Sequence, residues 1–175
     1  GYPANSATNT ATMDDGPEKP EADTLCVQEI LELMCVFGVS YHRLCQYRCR
    51  DALQTMQVLP KSQQTTGWVL HQQGKAYLEL NEFQSARRCL ESMHIHDPGR
   101  MQGLELLSTV YWQLKKEVEL AHLAQKVVDW DRLSPEAWCV VGNCFSLQKD
   151  HETALVFFGR SLQLDPNFTY THTLS

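Results

Sequence analysis

The chain repeats itself every 34 residues, and a repeat of that length admits few architectures. Gly74, Ser108 and Gly142 fall one period apart, and so do Tyr77, Tyr111 and Phe145. Ala86, Leu120 and Ala154 make a third set, and Pro98, Arg132 and Pro166 a fourth. Units this short cannot each bury a core of their own, so they stack in a line and share one.

A small, an aromatic, a small and a proline position recurring in that order define the tetratricopeptide repeat, in which each unit is a pair of antiparallel helices. The best match reads Trp138-x2-Val141-Gly142-x2-Phe145, then Ala154-x3-Phe158, then Pro166. Close packing explains these choices. Gly142 and Ala154 are small because the two helices cross there, and Phe145 and Phe158 fill the space between the pair and its neighbour. Proline closes the second helix because it lacks a donor and restricts the residue before it. The unit at 67–100 keeps Gly74, Tyr77, Ala86 and Pro98, whereas the one at 101–134 keeps Leu104, Leu107 and Tyr111 but has Leu120 and Arg132 in the Ala and Pro slots. One unit earlier, Ser40, Ala52 and Met56 take the Gly, Ala and Phe slots. The expectation is an all-α solenoid of about four helix pairs over 25–175, with units near 33–66, 67–100, 101–134 and 135–168 and the start of another at 169–175. Each unit exposes an apolar face that the next one covers, so the surface around Phe158 and Leu162 is expected to lie open.

Residues 1–24 differ in kind. They are rich in Ala, Asn, Ser, Thr and Pro, and carry Asp14, Asp15, Glu18, Glu21 and Asp23 against Lys19. Such a segment buries too little surface to offset the entropy of ordering, and a disordered acidic tail is expected. It holds most of the net charge of −6. The rest is nearly neutral, without the basic footprint that nucleic acid requires. The longest apolar uncharged stretch, Ala137 to Gln148, is too short to cross a bilayer. No basic-then-apolar targeting run is visible at the N-terminus, and seven cysteines read most simply as reduced thiols in a nuclear or cytosolic protein.

The stretch AWCVVGNCF at 137–145 invites a catalytic reading because two cysteines flank a glycine and an asparagine. Within a repeat helix, however, a thiol usually serves as a small hydrophobe, and no base or oxyanion turn accompanies Cys139 or Cys144. His42, Cys45 and Cys49 share one helical face but lack a fourth zinc ligand. His94 and His96 are expected as cations near a helix C-terminus. Ser134-Pro135 fits an N-cap serine followed by proline at the first helical position better than a phosphorylation site. With no phosphate-binding glycine loop either, neither an enzyme nor a metal or cofactor site is expected.

Residues 66–83, TGWVLHQQGKAYLELNEF, and 134–168, SPEAWCVVGNCFSLQKDHETALVFFGRSLQLDPNF, are more specific than the repeat consensus. With CQYRCRDA at 45–52 and Leu59-Pro60, the chain over roughly 31–174 resembles the cell division cycle protein 27 family, tetratricopeptide subunits of the anaphase-promoting complex. The resemblance implies a non-enzymatic scaffold in a ubiquitin ligase of the cell cycle, nuclear and cytoplasmic. Its implied partners are the other subunits of the complex and the C-terminal tails of its activators, and residues 1–24 become the end of a disordered segment preceding the array. In such repeats the first helix of each pair lines a concave groove, which carries His71, Gln72, Lys75, Glu105, Thr109, Trp112, Cys139 and Asn143 to the ligand side, with Trp112 as aromatic anchor. The packing positions are Gly74, Tyr77, Ala86, Tyr111, Trp138, Gly142, Phe145, Ala154 and Phe158. A generic adaptor, such as a chaperone-tail binder, is the alternative. It needs Lys, Asn and Arg on successive first helices, and the corresponding slots here make no such clamp.

Overall fold

The computed structural model describes residues 21–172, which form ten helices. Four antiparallel pairs follow one another: α1 (Glu21–Cys45) with α2 (Cys49–Gln57), α4 (Gly67–Glu79) with α5 (Phe83–His96), α6 (Leu104–Gln113) with α7 (Glu117–Trp130), and α8 (Pro135–Leu147) with α9 (His151–Leu164). The short α3 (Lys61–Gln64) bridges the first two pairs, and α10 (Thr169–His172) follows the last. No described helix is long and apolar enough to cross a membrane. The expected tail over 1–20 lies outside the described residues, but its last four residues open α1. No proline or glycine occurs between 21 and 37, so the helix carrying Val27, Ile30 and Met34 propagates back to Glu21.

Each pair turns in the same way. Tyr47, Asn81, Lys115 and Lys149 have φ of 58, 59, 56 and 66° and lie 34 residues apart. One residue beyond each, an N–H donates five residues back: Arg48 to Arg43, Glu82 to Tyr77, Lys116 to Tyr111 and Asp150 to Phe145, at 2.9–3.0 Å. This left-handed residue with its long back-bond is a Schellman C-cap, which satisfies carbonyls stranded at a helix end. The turn residue then leads directly into the second helix, so one backbone device both ends and restarts the chain in every unit.

Where the paired helices cross, there is no room for a side chain. A Cβ on Gly74 would sit 2.6 Å from Leu90, and one on Gly142 would sit 2.4 Å from the Phe158 ring. In the other two units the same slot is a buried serine whose hydroxyl returns to its own helix: Ser40 to the Val36 carbonyl and Ser108 to the Glu105 carbonyl, each at 2.6 Å. Ala52, Ala86, Leu120 and Ala154 are buried opposite. Tyr111 is buried in the central core and Tyr77 is half-buried against it. Phe145 and Trp138 stack on Phe157, with ring centroids 5.2 and 5.7 Å away, and the Trp138 indole donates to the Arg132 carbonyl.

Two expectations change. Phe158 is buried rather than open, because Phe168 and Tyr170 fold onto the cluster it forms with Cys139 and Ala154, and Leu162 is half-buried. Ser134 does stand at the N-cap of α8 with Pro135 behind it, but its hydroxyl donates to the Glu136 carboxylate at 2.5 Å instead of accepting a backbone N–H.

Candidate functional site

The residues assigned to a groove occupy equivalent slots on α4, α6 and α8: His71, Glu105 and Cys139 form one row, and Lys75, Thr109 and Asn143 the next. The two halves of this surface have different fates.

Over α6 and α8 the surface is closed. Tyr170 crosses from α10 and donates to Thr109 Oγ1 at 2.5 Å. The Asn143 amide is buried and donates to Ser108 Oγ at 2.8 Å and Thr109 Oγ1 at 3.2 Å. Cys139, expected on the ligand side, is fully buried beneath Tyr170 and Phe168. Burial pushes its thiol up to about 12, with a contact to Thr171 acting in the opposite sense. Glu105 is also buried, and its carboxylate accepts the Gly103 N–H at 2.7 Å. Burial raises that carboxyl to about 7 against the backbone donors of Glu105 itself and Gly103, with Glu136 adding to the rise and Arg100 opposing it. Thr109, Asn143 and Tyr170 thus satisfy one another within the array.

Between α1 and α4 the surface is open. A cleft of about 450 Å³ is lined by Tyr41, Trp68, His71, Gln72, Lys75, Arg100 and Gln102. Trp68 is held edge-on against Phe37, with centroids 5.2 Å apart. The Arg100 guanidinium donates to Gln102 Oε1 at 2.9 Å and lies 4.0 Å from Asp97. His71 is pushed down to about 4, first by burial and then by Arg100 and Lys75, so it is neutral at pH 7. The aromatics of this cleft are Trp68 and exposed Tyr41. Trp112, expected as the anchor, is half-buried against the central core with Lys115 Nζ 4.0 Å from its ring centroid. Trp68 and Arg100 escaped the sequence reading because the repeat pattern marks packing slots. Arg100 sits in the loop before α6, where the only signal was a cation next to Asp97-Pro98-Gly99.

The other cysteine and histidine candidates divide between interior and surface. Cys144 is buried and its thiol is raised by that burial, so neither cysteine of AWCVVGNCF offers a thiolate at neutral pH. His42 lies 3.0 Å from the Gln46 amide, with Cys45 exposed and Cys49 buried, and among the described residues no cluster of three or more His, Cys, Asp or Glu is placed to hold a metal. His94 is not the expected cation: burial and then Lys126, whose Nζ is 3.1 Å from its Nε2, hold the imidazole below its usual range.

A family model, the tetratricopeptide repeat, matches residues 135–168, which contain α8 and α9. A solved structure described as the MamA RS-1 ArsTM double mutant has a TM-score of 0.61, covering 79% of this chain and 78% of its own, at 16% identity, a likeness of fold alone. The chain is an all-α tetratricopeptide-repeat solenoid. Within that class it resembles, as a partial chain, cell division cycle protein 27. It is 40% identical to cell division cycle protein 27 homolog B of Arabidopsis thaliana over 97% of this chain and 24% of that protein. It is 45% identical to anaphase-promoting complex subunit 3 of Dictyostelium discoideum, over 81% and 15%, and 43% identical to the cell division cycle protein 27 homolog of Homo sapiens, over 79% and 17%. The chain thus spans less than a quarter of the length of these curated relatives.

Proposed function

We propose that this chain is a non-enzymatic interaction scaffold, acting as part of the anaphase-promoting complex in control of the cell cycle. The observation that carries this reading is the identity of 40–45% over most of the chain to proteins named cell division cycle protein 27 and anaphase-promoting complex subunit 3. The physical form agrees with it: stacked helix pairs present a rigid inner surface, and the thiols that could have carried chemistry are buried and protonated. Its partners are then other subunits of the ligase and activator C-terminal tails, and its surroundings the nucleus and cytoplasm. Lys75, with half-buried Trp68 beside it, forms the accessible part of the partner surface, and His71 and Gln72 line its buried floor.

A tagged copy of the chain recovered from dividing cells should bring down other subunits of the ligase in stoichiometric amounts. Recovery of chaperones alone would sink this reading and favour the generic adaptor.

A further inference from the structure

The open cleft between α1 and α4 is cationic. Its lining contains two permanent cations, Lys75 and Arg100, and no carboxylate, in a chain whose net charge is −6. No Asp or Glu among the described residues lies within 4 Å of the Lys75 ammonium; Arg100 has half-exposed Asp97 at 4.0 Å and feels the buried Glu105 carboxyl beyond that distance. Arg100 Nε is buried and has no acceptor among the described residues, although a buried guanidinium N–H normally finds one. The neighbouring His71 is held neutral, first by burial and then by these same two cations, so it adds no charge of its own at pH 7. Trp68, pinned by Phe37, supplies a flat apolar wall at the cleft.

We infer that this cleft binds the anionic side chain of an extended partner peptide, with Lys75 and Arg100 taking the charge and Trp68 the flanking apolar group. The chemistry is that of a carboxylate or phosphate on a side chain. A guanidinium fork and an ammonium together suit either, and a phosphate dianion would balance both cations. The cleft volume of about 450 Å³ accommodates one such side chain and part of a neighbour. The inference rests on the reading of the chain as an interaction scaffold, and adds which kind of segment the scaffold holds.

The test uses the full chain and three short peptides with blocked termini, identical except for a central phosphoserine, glutamate or serine, each flanked by leucine, together with inorganic phosphate. Binding by calorimetry should be measurable for at least one anionic peptide and about ten-fold weaker or absent for serine, and should weaken as salt is raised. Lys75→Gln and Arg100→Gln should each lower that affinity by about ten-fold, while Lys126→Gln, in a separate cleft with His94 and Glu119, leaves it unchanged. Preference for phosphoserine or for glutamate assigns the source of the anion, and inorganic phosphate binding alone would mark an adventitious ion only and overturn the inference. Equal binding of serine, no binding of any peptide up to about 10 mM, or indifference to both cleft substitutions would also overturn it. Lys75 is exposed, so Lys75→Gln keeps the fold, which a melting curve checks. Recovery of ligase subunits by a chain that fails to bind any peptide would leave the scaffold reading intact and reject this one.

Discussion

Gly142 and Gly159 lie in neighbouring helices of one repeat, and replacing each with alanine should move stability in opposite directions. At Gly142 a Cβ would be 2.4 Å from the Phe158 ring, which is itself buried and cannot swing away. Overpacking of that kind costs about 1–3 kcal/mol. At Gly159 nothing lies within 4 Å of the added carbon. There the helix gains about 1 kcal/mol, because alanine loses less backbone freedom on folding. Urea unfolding of Gly142→Ala and Gly159→Ala should therefore show midpoints shifted down and up; a shift of the same sign in both would mean that helix propensity, not the crossing, governs the small-residue slot of the repeat. The small residue at 142 was legible from the 34-residue period alone. Its partner was not, since a spacing names the slot and says nothing of which ring fills it.

At the scale of elements, α10 decides what the last complete pair exposes. Its four residues put Tyr170 over Thr109 and Cys139, and so convert the expected ligand-facing end of the groove into interior. Tyr170→Ala should open that cover. The consequence is chemical: Cys139 should resist an aromatic disulfide reagent while covered, and should react at least about ten-fold faster in Tyr170→Ala. Adding Cys139→Ala should abolish the gain. If the rate of Tyr170→Ala equals that of the parent, α10 is not the cover. The helices themselves were readable from periodicity and from Pro60, Pro98, Pro135 and Pro166, whereas the left-handed turn residues Tyr47, Asn81, Lys115 and Lys149 were not. Only Asn81 is of a type that favours such a conformation, so their common geometry comes from the long back-bond and from the packing of the two helices it joins.

For the whole molecule, two buried groups give opposing dependences on pH. Glu105 is raised from an ordinary 4.5 to about 7, so between those values the folded chain binds more protons than the unfolded one and stability falls as pH rises. Above about 7 the penalty is fully developed, on the order of 3 kcal/mol. His71 is lowered from 6.5 to about 4, so over that range the unfolded chain binds more protons and stability rises with pH. Because the two oppose each other below pH 6.5, the informative quantity is the difference between Glu105→Gln and the parent. Glutamine can still accept the Gly103 N–H, and its advantage in melting temperature should grow from pH 5 to pH 8. An advantage that does not change with pH would mean that Glu105 is ionised throughout.

Repeat period, small and aromatic slots, proline stops and the acidic composition ahead of the array all follow from local chain chemistry, and they sufficed for the solenoid class and the four helix pairs. The division of the inner surface into a closed half and an open, cationic half does not follow from any of them. It depends on how far Tyr170 reaches across α8 to Thr109, and on a loop arginine arriving beside Trp68 and Lys75 from residues that no helical period places there. Periodicity governs contacts between neighbours at fixed spacing. Which side chains cover the surface they create is settled by contacts across 61 residues of chain, as between Thr109 and Tyr170, and these exist only once the array is stacked.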